Sequence, residues 1–472
     1  LSKHGVSDRE VSPPRGVSKI GANYRKLVAA SAVSNIGDGV AQIAYPWLAS
    51  AVTRNPLLIA VIGIAQRLPW LVFTLPAGVL TDRKDRRVLM AGANSLRAVL
   101  TVFVAVAVLG FGGDLPGPDE LSAVVDTDVA LYVALIVSSI LLGIGEVVHD
   151  NAAQTFMPSI VAEEHLEHAN GRLYTVETVA NQFVGPPFGS LLLAIGFAVP
   201  FFVDAGTFAV AAVLVAWIAP PTARAIARGG DTAAPSAGLE HVDRRRWQDE
   251  LREGVRWLWD HRFLRSLAIT LGLLNLLSNV STASWVLFAQ EVLDTNSTEF
   301  ALITVISSIG ALVGGWLSGR LTRRFGSGVL LRWALVTFTG VTVVIGFVSS
   351  WPLAAGLLAL EFFTTVQWNV ITVSLRQTII PDRLLGRVNS VYRFFAWGMI
   401  PIGTAVGGLI VVLTERLTSR ETALRMPWWI AGGGYLVLLG AYALPRLTTA
   451  NIERARAEAK GPVPSADTGS GR

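Results

Sequence analysis

Along most of this chain, apolar residues come in stretches of about twenty or more, separated by short polar turns. Twelve such spans can be read: 27–52, 57–80, 88–110, 129–152, 172–195 and 199–219, then 264–290, 299–319, 328–348, 352–375, 389–413 and 427–446. A helix rises about 1.5 Å per residue, so about twenty residues cross the hydrocarbon core of a bilayer. The pattern predicts an all-α polytopic membrane protein with twelve transmembrane helices. Between the sixth and seventh spans lies a Pro/Gly/Ala-rich linker followed by a charged helix, in which Trp247, Leu251, Val255 and Leu258 share a face. That helix reads either as lying on the membrane surface or as a solvated linker helix. The expected organisation is a cytoplasmic tail over 1–24, a six-helix bundle over 25–219, the linker over 220–263, a second six-helix bundle over 264–447 and a disordered cytoplasmic tail over 448–472.

Composition agrees with the pattern. Of the 472 residues, 52% are hydrophobic and 15% charged, against about 25% charged in an average soluble domain. No cysteine is present, which excludes disulfides and thiolate metal sites. The first residues lack the apolar core of a secretory signal. The net charge of +5 sits in short loops, which speaks for membrane topology rather than nucleic-acid binding. With the N-terminus inside, the outer loops hold four Lys or Arg (Arg54, Arg416, Arg420, Arg425) and the inner loops eighteen. The positive-inside rule therefore places both termini in the cytoplasm. The loop "SIVAEEHLEHAN" dissents, with no Lys or Arg and three Glu.

The halves repeat. "QTFMPSIVAEEHLEHANGRLY" (154–174) aligns with "QTIIPDRLLGRVNSVY" (377–392) across a four-residue gap, pairing Gln154 with Gln377, Pro158 with Pro381 and Asn170 with Asn389. Gly189 and Gly408 then fall at equal distances beyond the shared Asn. "GVLTDRKDRR" is echoed more faintly by "GWLSGRLTRR" (315–324). Parallel repeats of this kind are expected of one transporter class, with the substrate path between the halves.

Two motifs stand out. In "PAGVLTDRKDRRVL" (76–89), six consecutive charged residues break the apolar run between spans 2 and 3. In "NQFVGPPFGSLL", span 5 carries Gly185, Pro186, Pro187 and Gly189, a run that would break an isolated helix. Here the chain resembles the major facilitator superfamily over roughly residues 25–447. Gly78, Asp82, Arg83 and Arg87 match the signature loop of that family in register, while Asp85 stands where the family usually has Gly and Val88 where it usually has a basic residue. The resemblance implies that Gly78 lets span 2 approach a neighbour. It also implies that Asp82 faces the N-terminus of a helix near Asn389, helping to hold the cytoplasmic side shut; ordinary positive-inside charge is the plainer reading. The span 5 run resembles the Gly-Pro motif of drug–proton antiporters, or is small-residue packing without further meaning. "SNIGDGVAQIAYPWLA", "QRLPWLVFTLPAGVLTDRKDRR" and "RQTIIPDRLLGRVNSVYR" are similar to the macrolide-efflux and enterobactin-exporter branch.

Charges within spans are costly and are functional candidates. Asp38 in span 1 and Arg67 in span 2 both fall near mid-membrane by helical rise, so they are expected to pair. Arg97 sits closer to the cytoplasm, and Glu146 and Asp150 lie a turn apart in span 4. Asp204 is expected to be solvated or locally hydrogen-bonded, and Arg393 to snorkel. Glu361, deep in span 10 with no charge near it in its own span, is the candidate carrier of a coupled proton, or else a packed neutral acid. Central aromatics such as Trp70, Phe363, Trp368 and Trp397 are candidates to line a cavity.

The expected function is proton-coupled efflux of small amphipathic compounds (drug, macrolide or siderophore-like) by a monomer in a bacterial cytoplasmic membrane. Its expected partners are the small-molecule substrate, protons and the lipid bilayer, with no cofactor. None of the five lysines sits in a Gly-Lys-Ser/Thr phosphate loop, which disfavours ATP-driven transport. The alternatives are uptake or lipid transport on the same fold, or a metal enzyme built on His165 and His168, whose spacing fits no zinc motif.

Overall fold

The computed structural model describes residues 21–117, 126–162, 165–219 and 244–459. The first half consists of α1 (Ala22–Val52), α2 (Pro56–Arg83), α3 (Arg86–Phe111), α4 (Val129–Ile160), α5 (166–193) and α6 (Ala198–Ala216). After α7 (Arg244–Asp260), the second half follows as α8 (Arg262–Glu291), α9 (Ser297–Phe325), α10 (Ser327–Ile345), α11 (Trp351–Ile379), α12 (Asp382–Glu415) and α13 (Arg420–Arg446), with a short α14 (Thr449–Ala459). No strand occurs among the described residues.

Twelve of these helices are long enough to cross a membrane, and ten are also apolar enough. The two that fall short are α1 and α5, and the reason is visible in sequence. In α1, Ser31, Asn35, Asp38, Gln42 and Tyr45 recur every three or four residues, and in α5 so do Asn170, Tyr174, Glu177 and Asn181. Each set forms one polar stripe on an otherwise apolar helix. Elsewhere the apolar side faces outward. On α3, Val99 (66% exposed), Val102, Val106 and Leu109 form an exposed stripe suited to lipid, while Asn94, Arg97 and Thr101 are buried opposite.

Successive membrane helices alternate in direction, so one face of the molecule carries the 53–55 turn and the other the 84–85 turn. Within the first half, α1 packs on α5 and α6, α3 on α4 and α6, and α2 on α4. In the second, α8 packs on α12 and α13, and α9 on α11. Across the boundary α2 meets α12 and α5 meets α9, a pseudo-two-fold arrangement of two six-helix bundles. The seams are backbone-close. An added Cβ at Gly185 would overlap the Gly39 backbone, and one at Gly189 would lie 2.8 Å from the Val40 carbonyl oxygen. Gly403 and Gly407 of α12 meet the carbonyls of Leu276 and Val280 of α8 in the same way. Without a hydrophobic drive between helices in lipid, such close approach supplies the packing.

Two expectations need correction. The tail expected from 448 onward begins with the helix α14, because Ile452 and Ala455 find cover against the apolar underside of the second bundle; residues 460–472 lie outside the described part. In α7, Leu258 is buried in that same cluster while Val255 is exposed, so the helix docks on the protein by part of its predicted face. The side chains of Trp247 and Leu251, the linker 220–243 and the tail 1–20 lie outside the described residues.

Candidate functional site: a charged cavity in the first half

A cavity of about 820 Å³ runs through the first half, lined by α1 to α6. Both polar stripes face it, and so do Arg67, Arg97, Glu146, His149, Asp150 and Asp204. Its lining is buried toward the 53–55 face, at Tyr45 and Ser139, and exposed toward the 84–85 face, at Gln154, Asn170 and Tyr174. The cavity therefore opens at the 84–85 face.

Arg97 is the hub. Its Nη2 lies 2.5 Å from Asp38 Oδ1, its guanidinium carbon sits 3.9 Å from the centre of the Phe208 ring, and its methylenes pass over Gly145, which has no side chain to block them. Cation–π and ionic contacts together hold the group in place. Asp38 thus pairs with Arg97 and not with Arg67. Depth along the helix was equal for Arg67, but azimuth was not: α3 turns Arg97 inward, while Arg67 is exposed within the cavity and has no ion pair among the described residues. Glu146 is half-buried beside this pair, again without a partner among the described residues. Asp204, expected to be solvated or locally hydrogen-bonded, is only 2% exposed, with Thr207 Oγ1 3.5 Å from its carboxyl. Glu361 is half-buried in α11, is absent from the cavity lining, and has no hydrogen-bond or ionic partner for its carboxylate among the described residues.

The α5 run explains itself locally. Pro186 and Pro187 lack N–H groups, so the α-helical ladder cannot continue through them, and the preceding Val179–Val184 widens into a π turn. That turn presents Asn181 and Gln182 sideways. Gln42 Nε2 and Gln182 Nε2 each donate to Asn181 Oδ1 at 2.6 Å, and the Ser308 hydroxyl of α9 shares its one hydrogen between the Thr304 carbonyl at 2.9 Å and Gln182 Oε1 at 3.2 Å. A hydrogen-bonded chain thus crosses from one half to the other above the cavity. Lower down, the Ser31 hydroxyl donates to Glu177 Oε1 at 2.6 Å.

The 53–55 face is tied more firmly. Arg54 donates to Gln290 and Glu291, Gln290 donates to Ser50, and Arg420 reaches Glu291, Glu415 and the Arg54 carbonyl. Burial pushes the Arg54 guanidinium below its ordinary value, with Glu291 pulling the other way. Just beneath, Gly408 of α12 meets Leu57 and Ala60 of α2, and Trp70 meets Trp397 with ring centres 6.2 Å apart. At the 84–85 face these helices part. An added Cβ at Gly78 would meet nothing within 4 Å, so the close approach expected there is missing in this conformation. Asp82 lies in the last turn of α2, but its side chain lies outside the described residues, and Arg83, which ends the helix, is exposed. Asp85, the departure from the usual Gly, caps α3 by accepting from the Arg87 and Val88 N–H groups. Arg86 donates to the Thr155 carbonyl and Arg87 to the Ile218 carbonyl, each at 2.8 Å, at the ends of α4 and α6. Helix ends of that polarity favour cations.

Twelve spans in two related bundles, with a charged cavity in the first that opens toward one face, define a membrane transporter rather than an enzyme. Residues 27–404 match the model of the Major Facilitator Superfamily, and the chain belongs to that family. It is 28% identical to the multidrug efflux pump Tap of Mycolicibacterium fortuitum, over 89% of this chain and 95% of that one. It is 25% identical to macrolide efflux protein A of Streptococcus pyogenes, over 90% and 95%. With the enterobactin exporter EntS of Shigella boydii serotype 4 it shares 22% identity, over 83% and 86%. Among solved structures, an inward-facing bacterial homologue of the iron transporter ferroportin superposes with a TM-score of 0.61 at 19% identity, covering 89% of this chain and 98% of that one.

Proposed function

We propose that this protein exports small amphipathic compounds from a bacterial cytoplasm by alternating access, driven by protons. The observation that supports it most is the cavity itself, an ionisable pocket whose described lining is exposed toward the 84–85 face and buried toward the 53–55 face. The excess of Lys and Arg in the loops of the 84–85 face supports a cytoplasmic placement, with both termini on that side. On this reading the structure is the inward-open state, which loads from the cytoplasm. The names of its relatives, which are efflux proteins, favour export over uptake. Gly78, Asp82, Arg83 and Arg87 are proposed to form their closing contact with α12 only when the inner face shuts. The π turn beside Gly185, Pro186, Pro187 and Gly189 is proposed as the bend that lets α5 follow. The test is accumulation in energised inverted vesicles from a pump-deficient host, using a macrolide and a catecholate siderophore as probes. Uptake that collapses when the pH gradient alone is dissipated is expected. Accumulation indifferent to that gradient removes the proton from the scheme, and accumulation only in right-side-out vesicles reverses the direction.

A further inference from the structure

Asp204 is a buried acid that neither gating nor substrate entry uses. It lies against the backbone of α1, where its Oδ1 occupies the space a side chain at position 37 would take, so Gly37 is what admits it next to Asp38. Among the described residues, the one hydrogen-bond donor near its carboxyl is the Thr207 hydroxyl at 3.5 Å. A hydroxyl has a single hydrogen, and this one already goes to the Asp204 main-chain carbonyl at 2.7 Å. The charged groups nearest Asp204 are Asp38 from α1 and Arg97 from α3, and Tyr45 of α1 lines the same cavity with its hydroxyl unpartnered among the described residues. Glu146 and Asp150 of α4 also act on Arg97. Arg97 is engaged by Asp38, yet its Nε is buried without a partner.

A buried carboxyl, Asp204, and a cavity-facing one, Asp38, therefore share one guanidinium. A single cation can compensate one of them, and like charges this close do not both ionise. We infer that Asp38 and Asp204 form one shared proton-binding site: the carboxyl that holds Arg97 is ionised, and the other carries the proton. In the present arrangement Arg97 is on Asp38, which leaves the proton on Asp204. Exchange breaks the Asp204 O–H bond and passes that proton to cavity water as Arg97 turns its unpartnered edge to Asp204, while Asp38, left without the cation, takes up a proton from the same water, so the pair carries one proton before and after. The role of this site in transport rests on the proton-coupled reading above; the existence of the site does not.

The test is infrared spectroscopy of the full chain in lipid nanodiscs at neutral pH, reading the carbonyl band of protonated carboxyls. Asp204→Asn, which keeps the shape of a neutral acid, is expected to lose one carboxyl's worth of the band. Asp38→Asn is expected to lose the same amount, because Arg97 then passes to Asp204 and ionises it; Asp38→Ser serves if the Asn variant does not fold. Arg97→Gln is expected to gain one carboxyl. An unchanged band in Asp204→Asn overturns the site, and a retained band in Asp38→Asn overturns the sharing. A full set of expected changes, together with vesicle accumulation that ignores the pH gradient, keeps the site and removes only the proton-driven reading.

Discussion

The two halves share a scaffold and differ in chemistry. In the first, α5 presses glycines into the backbone of α1; in the second, α12 does the same to α8. Inside those matching frames, the first half holds Asp38, Arg97, Glu146, Asp150, Glu177 and Asp204 around a cavity. The second buries amides and rings: Gln367 donates to the Gly314 carbonyl, Asn275 to the Ala396 carbonyl, and Trp368 packs by Phe338. Glu361 is its isolated acid. Duplication thus conserves what packing needs, while ionisable groups have gathered on one side. The first half is suited to holding ions, and the second to being the surface against which the first rocks.

The comparison is broken most severely at Arg97. Arg97→Leu strips the cation from Asp38 and Asp204, and uncompensated buried charge costs about 3–5 kcal/mol. A large drop in the unfolding midpoint and no transport are expected, whereas Arg376→Leu in α11 of the second half, where Arg376 stacks 4.1 Å over the Tyr392 ring and donates to Asn389 with no carboxylate among the described residues to strand, is expected to be milder; equal losses would erase the asymmetry. The shared scaffold is probed next. Gly185→Val and Gly407→Val each force a side chain into a backbone seam, at about 1–3 kcal/mol. Similar thermal shifts for the two are expected, and a shift confined to one half would show that the seams are not equivalent.

Smaller effects follow at the face that ties the halves. Exposed or half-exposed ion pairs contribute about 0.2–1 kcal/mol each. Glu291→Gln, which weakens both Arg54 and Arg420, should therefore raise the outward-open population only a few-fold. The chain has no native cysteine, so a single cysteine introduced at Ser139 reports opening by its rate of labelling from outside. An unchanged rate means that Glu291 does not hold the gate. Glu361→Gln is expected to change gradient-driven accumulation least, within about twofold, the scale of substitutions remote from a working site. Abolished accumulation there would move the coupled proton into the second half.

The spans were legible because a bilayer imposes a length and an apolar content on anything that crosses it. The polar stripes on α1 and α5 were equally present in the spacing of Ser31, Asn35, Asp38 and Gln42, and of Asn170, Glu177 and Asn181, and they point to the cavity wall. The partner of Asp38 was not legible. Depth can be counted along a helix, but which helices touch, and at what rotation, depends on packing between residues far apart in sequence. The same holds for Asp204, whose place is set by a glycine on another helix. The π turn needed knowledge of how Pro186 and Pro187 would be absorbed, by kinking the helix or by widening it.

Arg86 and Arg87 have a consequence for electrical work. By bonding to the ends of α4 and α6 from the start of α3, they bind into one lever the three helices that carry Glu146, Asp204 and Arg97. Asp38 sits on α1, which packs on α6, so the charge that Arg97 gives this lever is matched by a carboxylate on the helix beside it. Moving an elementary charge across the membrane takes about 2.3 kcal/mol per 100 mV, and a pair that sums to zero takes almost none. On the proposed cycle, the membrane voltage would therefore act on the charges that enter and leave the cavity and hardly at all on this pair.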